Sequence, residues 1–155
     1  MPAYEPNISL IVKGLGLNLF LDVEIDEPYD SITRTPKHCL NENWLRDSWF
    51  TNRGWIVIRF AEEQVKKQPK YCLAFIAKVI HSVYPEYHIP SHLRNMTDPK
   101  LITQWTAEEA VQMAHDKKRE EYLEINEFRK KVFDEETTLI ELNESEAKVE
   151  ALVLG

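Results

Sequence analysis

No apolar run of the ~18 residues needed to cross a bilayer occurs in this 155-residue chain, so no membrane partner is expected. Residues 1–5 carry neither a basic n-region nor an apolar h-region, so a secretory leader is not expected either. Cysteine is nearly absent. Cys39 and Cys72 stand alone with no C-x-x-C between them, too few for a structural zinc site and expected to stay reduced. Histidine is sparse as well, and His81, His88, His92 and His115 show no H-E-x-x-H spacing, which excludes the zinc hydrolases built on that helix. No repeat or low-complexity tract is present, so solenoids and linkers are excluded. What remains is a cytoplasmic globular chain, 43% hydrophobic and 29% charged, of a length that suits one domain with an extension.

Charge is present but unevenly placed. Residues 1–100 hold 12 Lys/Arg and 12 Asp/Glu, whereas residues 101–155 hold 7 and 14, so the tail accounts for the whole net charge of −7. Five acids (Asp22, Glu24, Asp26, Glu27, Asp30) crowd into nine residues. Outside that focus the first hundred residues are mildly basic, a layout compatible with a phosphodiester substrate.

Residues 7–12 (NISLIV) predict a strand, and Gly14 and Gly16 a tight turn. A second strand is predicted over 18–26. There Leu19, Leu21, Val23 and Ile25 share one face, and Asp22, Glu24 and Asp26 the other. Glu27-Pro28 ends it, and a loop containing Pro36 runs to about Leu40. Asn41 is a reasonable N-cap for a helix carrying Trp44, Trp49 and Phe50, with Gly54 placed to end it. WIVIRF (55–60) predicts a buried strand, and apolar spacing from Pro69 to Val83 a helix. The order gives an α/β fold, a small mixed central sheet flanked by helices, over residues 5–83. Residues 84–100 are expected as a loop, and 101–155 as an acidic helical extension. Thr106 and Glu109 form a capping box opening a helix to about Phe133, and Asn143 caps a last short one.

Three carboxylates at i, i+2 and i+4 of a strand face one way, roughly 7 Å between neighbours. Such like charges repel, and a hard divalent cation relieves them. An edge strand with a solvated acidic face fits the same spacing.

Four segments then follow in a definite order. They are Glu5-Pro6-Asn7-Ile8, Asp22-Val23-Glu24-Ile25-Asp26, Arg46-Asp47 with Trp49-Phe50, and 54–60 (GWIVIRF). This series resembles the restriction-endonuclease-like, PD-(D/E)XK superfamily, in the DUF559-like branch related to very-short-patch-repair enzymes, over residues 5–83. The resemblance implies a Mg²⁺-dependent endonuclease domain, with Mn²⁺ able to replace Mg²⁺, hydrolysing DNA by a metal-activated water. RNA is left open. It makes Glu24 the central metal carboxylate, with the Ile25 carbonyl beside it. It puts Asp26 where the superfamily usually has Lys, and Asn7 where it has the "PD" aspartate. Asn7 brings no charge to that position, and Asp22 shares Glu24's face. Arg59 is expected to bind the scissile phosphate or orient Glu24, unless it forms a structural ion pair. The alternative is a catalytically inactive module for nucleic-acid binding or protein assembly, docking a partner or itself through the C-terminal helices. Geometry separates the two: Asn7, Glu24 and Asp26 should converge on one point, whereas a salt bridge filling that point favours the inactive module.

Other residues are weighed beside these. His38 is a candidate phosphate contact or proton donor, and a lone loop histidine is more often simply solvated. Gln64, Lys66 and Lys67 are candidate nucleic-acid contacts, against the commoner reading of a solvated helix end. Arg46 and Asp47 read as a structural pair, and the aromatic stripe of Trp44, Trp49 and Phe50 as core.

Overall fold

The computed structural model describes residues 4–14 and 17–128. It is a mixed α/β fold around a three-stranded sheet. Strand β2 (Leu17–Asp26) is central, with β1 (Ile8–Gly14) antiparallel on one side and β3 (Trp55–Ala61) parallel on the other. The period-two alternation of β2 is realised, and Leu19, Leu21 and Val23 form one buried face. They pack with Ile58 and Phe60 of β3 and with Cys72 and Ile80 of helix α3 (Pro69–Val83). That helix takes its expected bounds, with proline in its first turn, where the absent N–H costs nothing.

The opposite face of β2 is not a solvated edge. Asp22, Glu24 and Asp26 are 0%, 3% and 7% exposed, so three acids are buried in mid-sheet. Helix α1 (Trp44–Thr51) supplies the side chains that cover them. It starts later than its expected cap, because Asn41 takes a left-handed φ of +70° and Asn43 becomes the N-cap. Of its aromatics only Phe50 is core, while Trp44 projects into solvent. Gly54, three residues past the helix, has φ +78°, a conformation that side-chain-bearing residues resist.

Between β3 and α3 lies a short helix the sequence reading omitted, α2 (Glu62–Lys67). Residues 84–100 are more than a loop. They contain α4 (Ser91–Arg94), whose Leu93 packs on Ala74 and Ala77 of α3. The single helix expected after Thr106 is two, α5 (Ala107–His115) and α6 (Lys118–Leu123), because Lys117 adopts φ +53° and turns the chain between them. The helix expected from Asn143, and any continuation toward Phe133, lie outside the described residues.

The capping box is present. Thr106 Oγ1 accepts from the Glu109 N–H at 3.2 Å, and the Glu109 carboxylate accepts from the Thr106 N–H at 2.8 Å. Thr106→Ala is expected to cost about 1 kcal/mol in urea denaturation, since it removes the hydroxyl acceptor and leaves the Glu109 N–H without its cap.

Candidate functional site

Sheet register assembles the acidic site. In the parallel β2–β3 pair Glu24 stands opposite Arg59, and Asp26 opposite Ala61. In the antiparallel pair Ile8 stands opposite Val23, which places Asn7 beside Glu24. The Asn7 backbone N–H donates to Glu24 Oε1 at 2.8 Å, and its side-chain oxygen accepts from the Ile25 N–H at 3.0 Å. Asn7 therefore clamps the start of β1 to β2. Its amide oxygen, expected in a metal shell, is turned onto the main chain.

Two guanidiniums stand among the acids. Arg46 donates through Nη1 to Asp22 Oδ2 at 2.7 Å and through Nη2 to Glu24 Oε1 at 2.5 Å, with a further bond to the Glu5 carbonyl at 2.9 Å. It also lies over the Phe50 ring, 4.7 Å from its centroid. Arg59 grips Asp26 with two bonds, Nε to Oδ2 at 2.9 Å and Nη2 to Oδ1 at 2.6 Å, and reaches Asp47 with Nη1 at 2.7 Å. Arg46 and Asp47 were expected to pair with each other. As neighbours on a helix they diverge, and each instead finds an opposite charge on the sheet.

Three buried carboxylates (Asp22, Glu24, Asp26) and the half-buried Asp47 thus share two guanidiniums, so the acids outnumber the cations that face them. The strain falls on Glu24. Burial, with Asp22 alongside, outweighs the Asn7 N–H and Arg46 and pushes its pKa up to about 7.

The four residues expected to contact nucleic acid all have intramolecular partners. His38, at a left-handed φ of +52°, puts Nδ1 at 3.3 Å from Asp26 and Nε2 at 3.6 Å from Glu27. It therefore joins the acidic site at its rim. Gln64 is buried. Its oxygen accepts from the Ala61 N–H at 2.9 Å, capping α2, and its Nε2 donates to the Lys100 carbonyl at 2.8 Å. Lys66 pairs with Glu124 at 3.2 Å and Lys67 with Glu63 at 2.6 Å.

A second polar cluster escaped the sequence reading. Arg119 is buried and holds Glu62 through two bonds of 2.7 and 2.8 Å and the Tyr29 carbonyl through Nη1 at 2.6 Å. The Tyr122 hydroxyl donates to Glu62 at 2.7 Å. Glu120, also buried, accepts from the Tyr29 hydroxyl at 2.8 Å and pairs with Arg34. Burial alone would raise the Glu120 carboxyl, but Arg34 and the Tyr29 hydroxyl prevail and hold it at about 2. This cluster fastens α6 to the sheet layer.

Comparison with family models, with curated proteins and with solved structures gives no match for the chain. No set of three or more His, Cys, Asp or Glu side chains among the described residues has the arrangement of a metal cage. Mg²⁺ asks for less, one or two carboxylates beside waters and substrate oxygens, all of them hard donors. Glu24 and Asp26 are donors of that kind. Asn7 does not fit such a shell.

Proposed function

We propose that this chain is a restriction-endonuclease-like domain that hydrolyses DNA phosphodiester bonds with one divalent cation, Mg²⁺ or Mn²⁺, held by Glu24 and Asp26. The observation that carries this reading is the charge of the buried face. Asp22 and Glu24 share a single guanidinium, and burial, with Asp22 alongside, pushes the Glu24 carboxyl up to about 7. When bound, the cation would polarise a phosphoryl oxygen and ease ionisation of a water.

The chain's own groups have separate tasks. Arg59 fixes Asp26 by its paired hydrogen bonds, and Arg46 fixes Asp22 and Glu24, so both are positioning residues. His38, less deeply set than Asp26, touches it at the rim of the site.

The convergence test set by the sequence comes out for a second reading. Glu24 and Asp26 already bond to guanidiniums, and the Asn7 oxygen is turned away. In that reading the fold persists without catalysis and serves nucleic-acid binding or protein assembly.

Calorimetric titration of Mg²⁺ and then Mn²⁺ into the protein and into Glu24→Gln, beside cleavage of labelled DNA, separates them. The nuclease reading expects metal binding that weakens roughly tenfold or more in the variant, with cleavage lost alongside it. Absence of metal binding and of cleavage in the parent protein, with DNA present, would overturn it in favour of the second.

A further inference from the structure

At the C-terminal ends of parallel strands β2 and β3, where open α/β sheets commonly take ligands, the chain encloses two adjoining cavities. One of about 180 Å³ is walled by Asp26, Arg59, Gln64, Leu101 and Gln104. The other, of about 300 Å³, reaches α5 and α6 over an apolar floor of Pro28, Ile102, Trp105, Met113 and Tyr122. Asp26, Ala61, Ile102 and Trp105 line both.

The strap over them, residues 100–105, is firmly held. The Lys100 carbonyl accepts from Gln64 Nε2 and the Lys100 N–H donates to Gln68 Oε1 at 3.0 Å. Gln104 Nε2 donates to the His38 carbonyl at 3.0 Å, and Trp105 Nε1 to the Lys37 carbonyl at 2.8 Å. The Trp105 carbonyl in turn accepts from the Leu40 N–H at 2.9 Å. A strap so pinned bounds a cleft of about 180 Å³ at the Asp26–Arg59 edge, the size of one slender group and not of the face of a double helix.

The lining selects what that group is. Around the larger cavity Glu63 pairs with Lys67, Glu121 with Lys118 and Glu62 with Arg119, so the charges on that side of the rim are already partnered. A charged head group gains little there. A flat uncharged ring, apolar on its faces and bearing donors and acceptors on its edge, suits both the floor and the rim. At the mouth Leu101 is 85% exposed, an aliphatic side chain placed to lie against such a ring as it enters.

We infer that these cavities receive one unpaired nucleobase of a strand whose backbone passes Asp26 and Arg59, so that the domain engages single-stranded or frayed DNA in preference to closed duplex. The inference rests on the nucleic-acid reading given above and names its substrate class.

Fluorescence anisotropy with the full chain in EDTA tests it by binding alone. The probes are a labelled oligothymidylate of about ten nucleotides and a closed hairpin duplex of similar length. The expected result is binding of the single strand at least about tenfold tighter than of the hairpin. Met113→Trp, which fills the floor, should abolish that preference, and Leu101→Ser should reduce it several-fold with an unchanged melting temperature. Leu101→Ser alone decides should Met113→Trp fail to fold, because so exposed a side chain holds nothing together. Equal affinity for both probes, tighter hairpin binding, or a Leu101→Ser protein identical to the parent overturns the inference. Hairpin binding or cleavage without single-strand preference sinks the inference and leaves the nuclease reading standing. If neither probe binds, with Mg²⁺ or without it, both fall.

Discussion

Replacing Arg119 by alanine is expected to destabilise the protein by about 3–5 kcal/mol, a large part of the total for a domain of this size. The side chain is buried, and its five donors serve Glu62 twice and the Tyr29 carbonyl once. Among the described residues its removal leaves the Glu62 carboxylate with the Tyr122 hydroxyl alone, and the Tyr29 carbonyl without its charged donor. The cost is that of an orphaned charge and not of a lost surface contact. In urea the midpoint should fall by about 2 M at a typical slope. Lys118→Ala is the internal control, because its pair with Glu121 is exposed and screened by solvent. A loss below about 1 kcal/mol for Arg119→Ala would mean that the apolar contacts of Trp105, Ala110 and Tyr122 suffice to hold the extension.

The elements legible in the sequence are those set by local periodicity. The alternation of β2 put Asp22, Glu24 and Asp26 on one face, and the spacing from Pro69 to Val83 described α3, because a strand and an amphipathic helix each repeat within a few residues. The burial of that acidic face was not legible. It depends on Arg46, 24 residues from Asp22, and on Arg59, 33 residues from Asp26. A local reading instead paired Arg46 with Asp47, its neighbour in sequence and not in space.

The cluster around Tyr29 and Arg119 spans about 90 residues and carries no periodic signal at all. The break at Lys117 was hidden for a related reason. No glycine marks the left-handed turn, and the bonds that Arg119 and Glu120 make to the core are what α6's direction serves. At the site the residue types were readable, but their partners were not. Gln64 and Lys66 looked free for a ligand because they answer to Lys100 and Glu124 through tertiary folding, whereas Lys67 meets Glu63 one turn away on α2, a helix the sequence reading omitted.

Arg46→Ala is expected to show the other large effect, and its size should depend on pH. In the parent protein the Glu24 carboxyl titrates at about 7 when folded and near 4.5 when unfolded, so the folded state binds its proton more tightly. Stability from this group is therefore complete below about 4.5 and is lost as the pH rises through 7. The full shift corresponds to about 3 kcal/mol. Solvent at the rim of the site reduces this to the order of 1 kcal/mol.

Arg46 opposes the shift, so deleting it raises the Glu24 pKa further and leaves fully buried Asp22 without a cation. At pH 8 both carboxylates must then ionise unpaired or hold protons against the solvent, a loss of about 3–5 kcal/mol. At pH 5 the Glu24 proton is already in place, and the loss should be smaller by one or more kcal/mol, on the order of the screened shift. Adding Asp22→Asn to Arg46→Ala should recover part of the loss at pH 8, giving a coupling within about 0.5–3 kcal/mol in a double-mutant cycle. Urea denaturation of the four proteins at both pH values measures all of this. Equal destabilisation at pH 5 and pH 8, with no coupling to Asp22, would mean that Arg46 stabilises by packing over Phe50 and not by compensating buried charge.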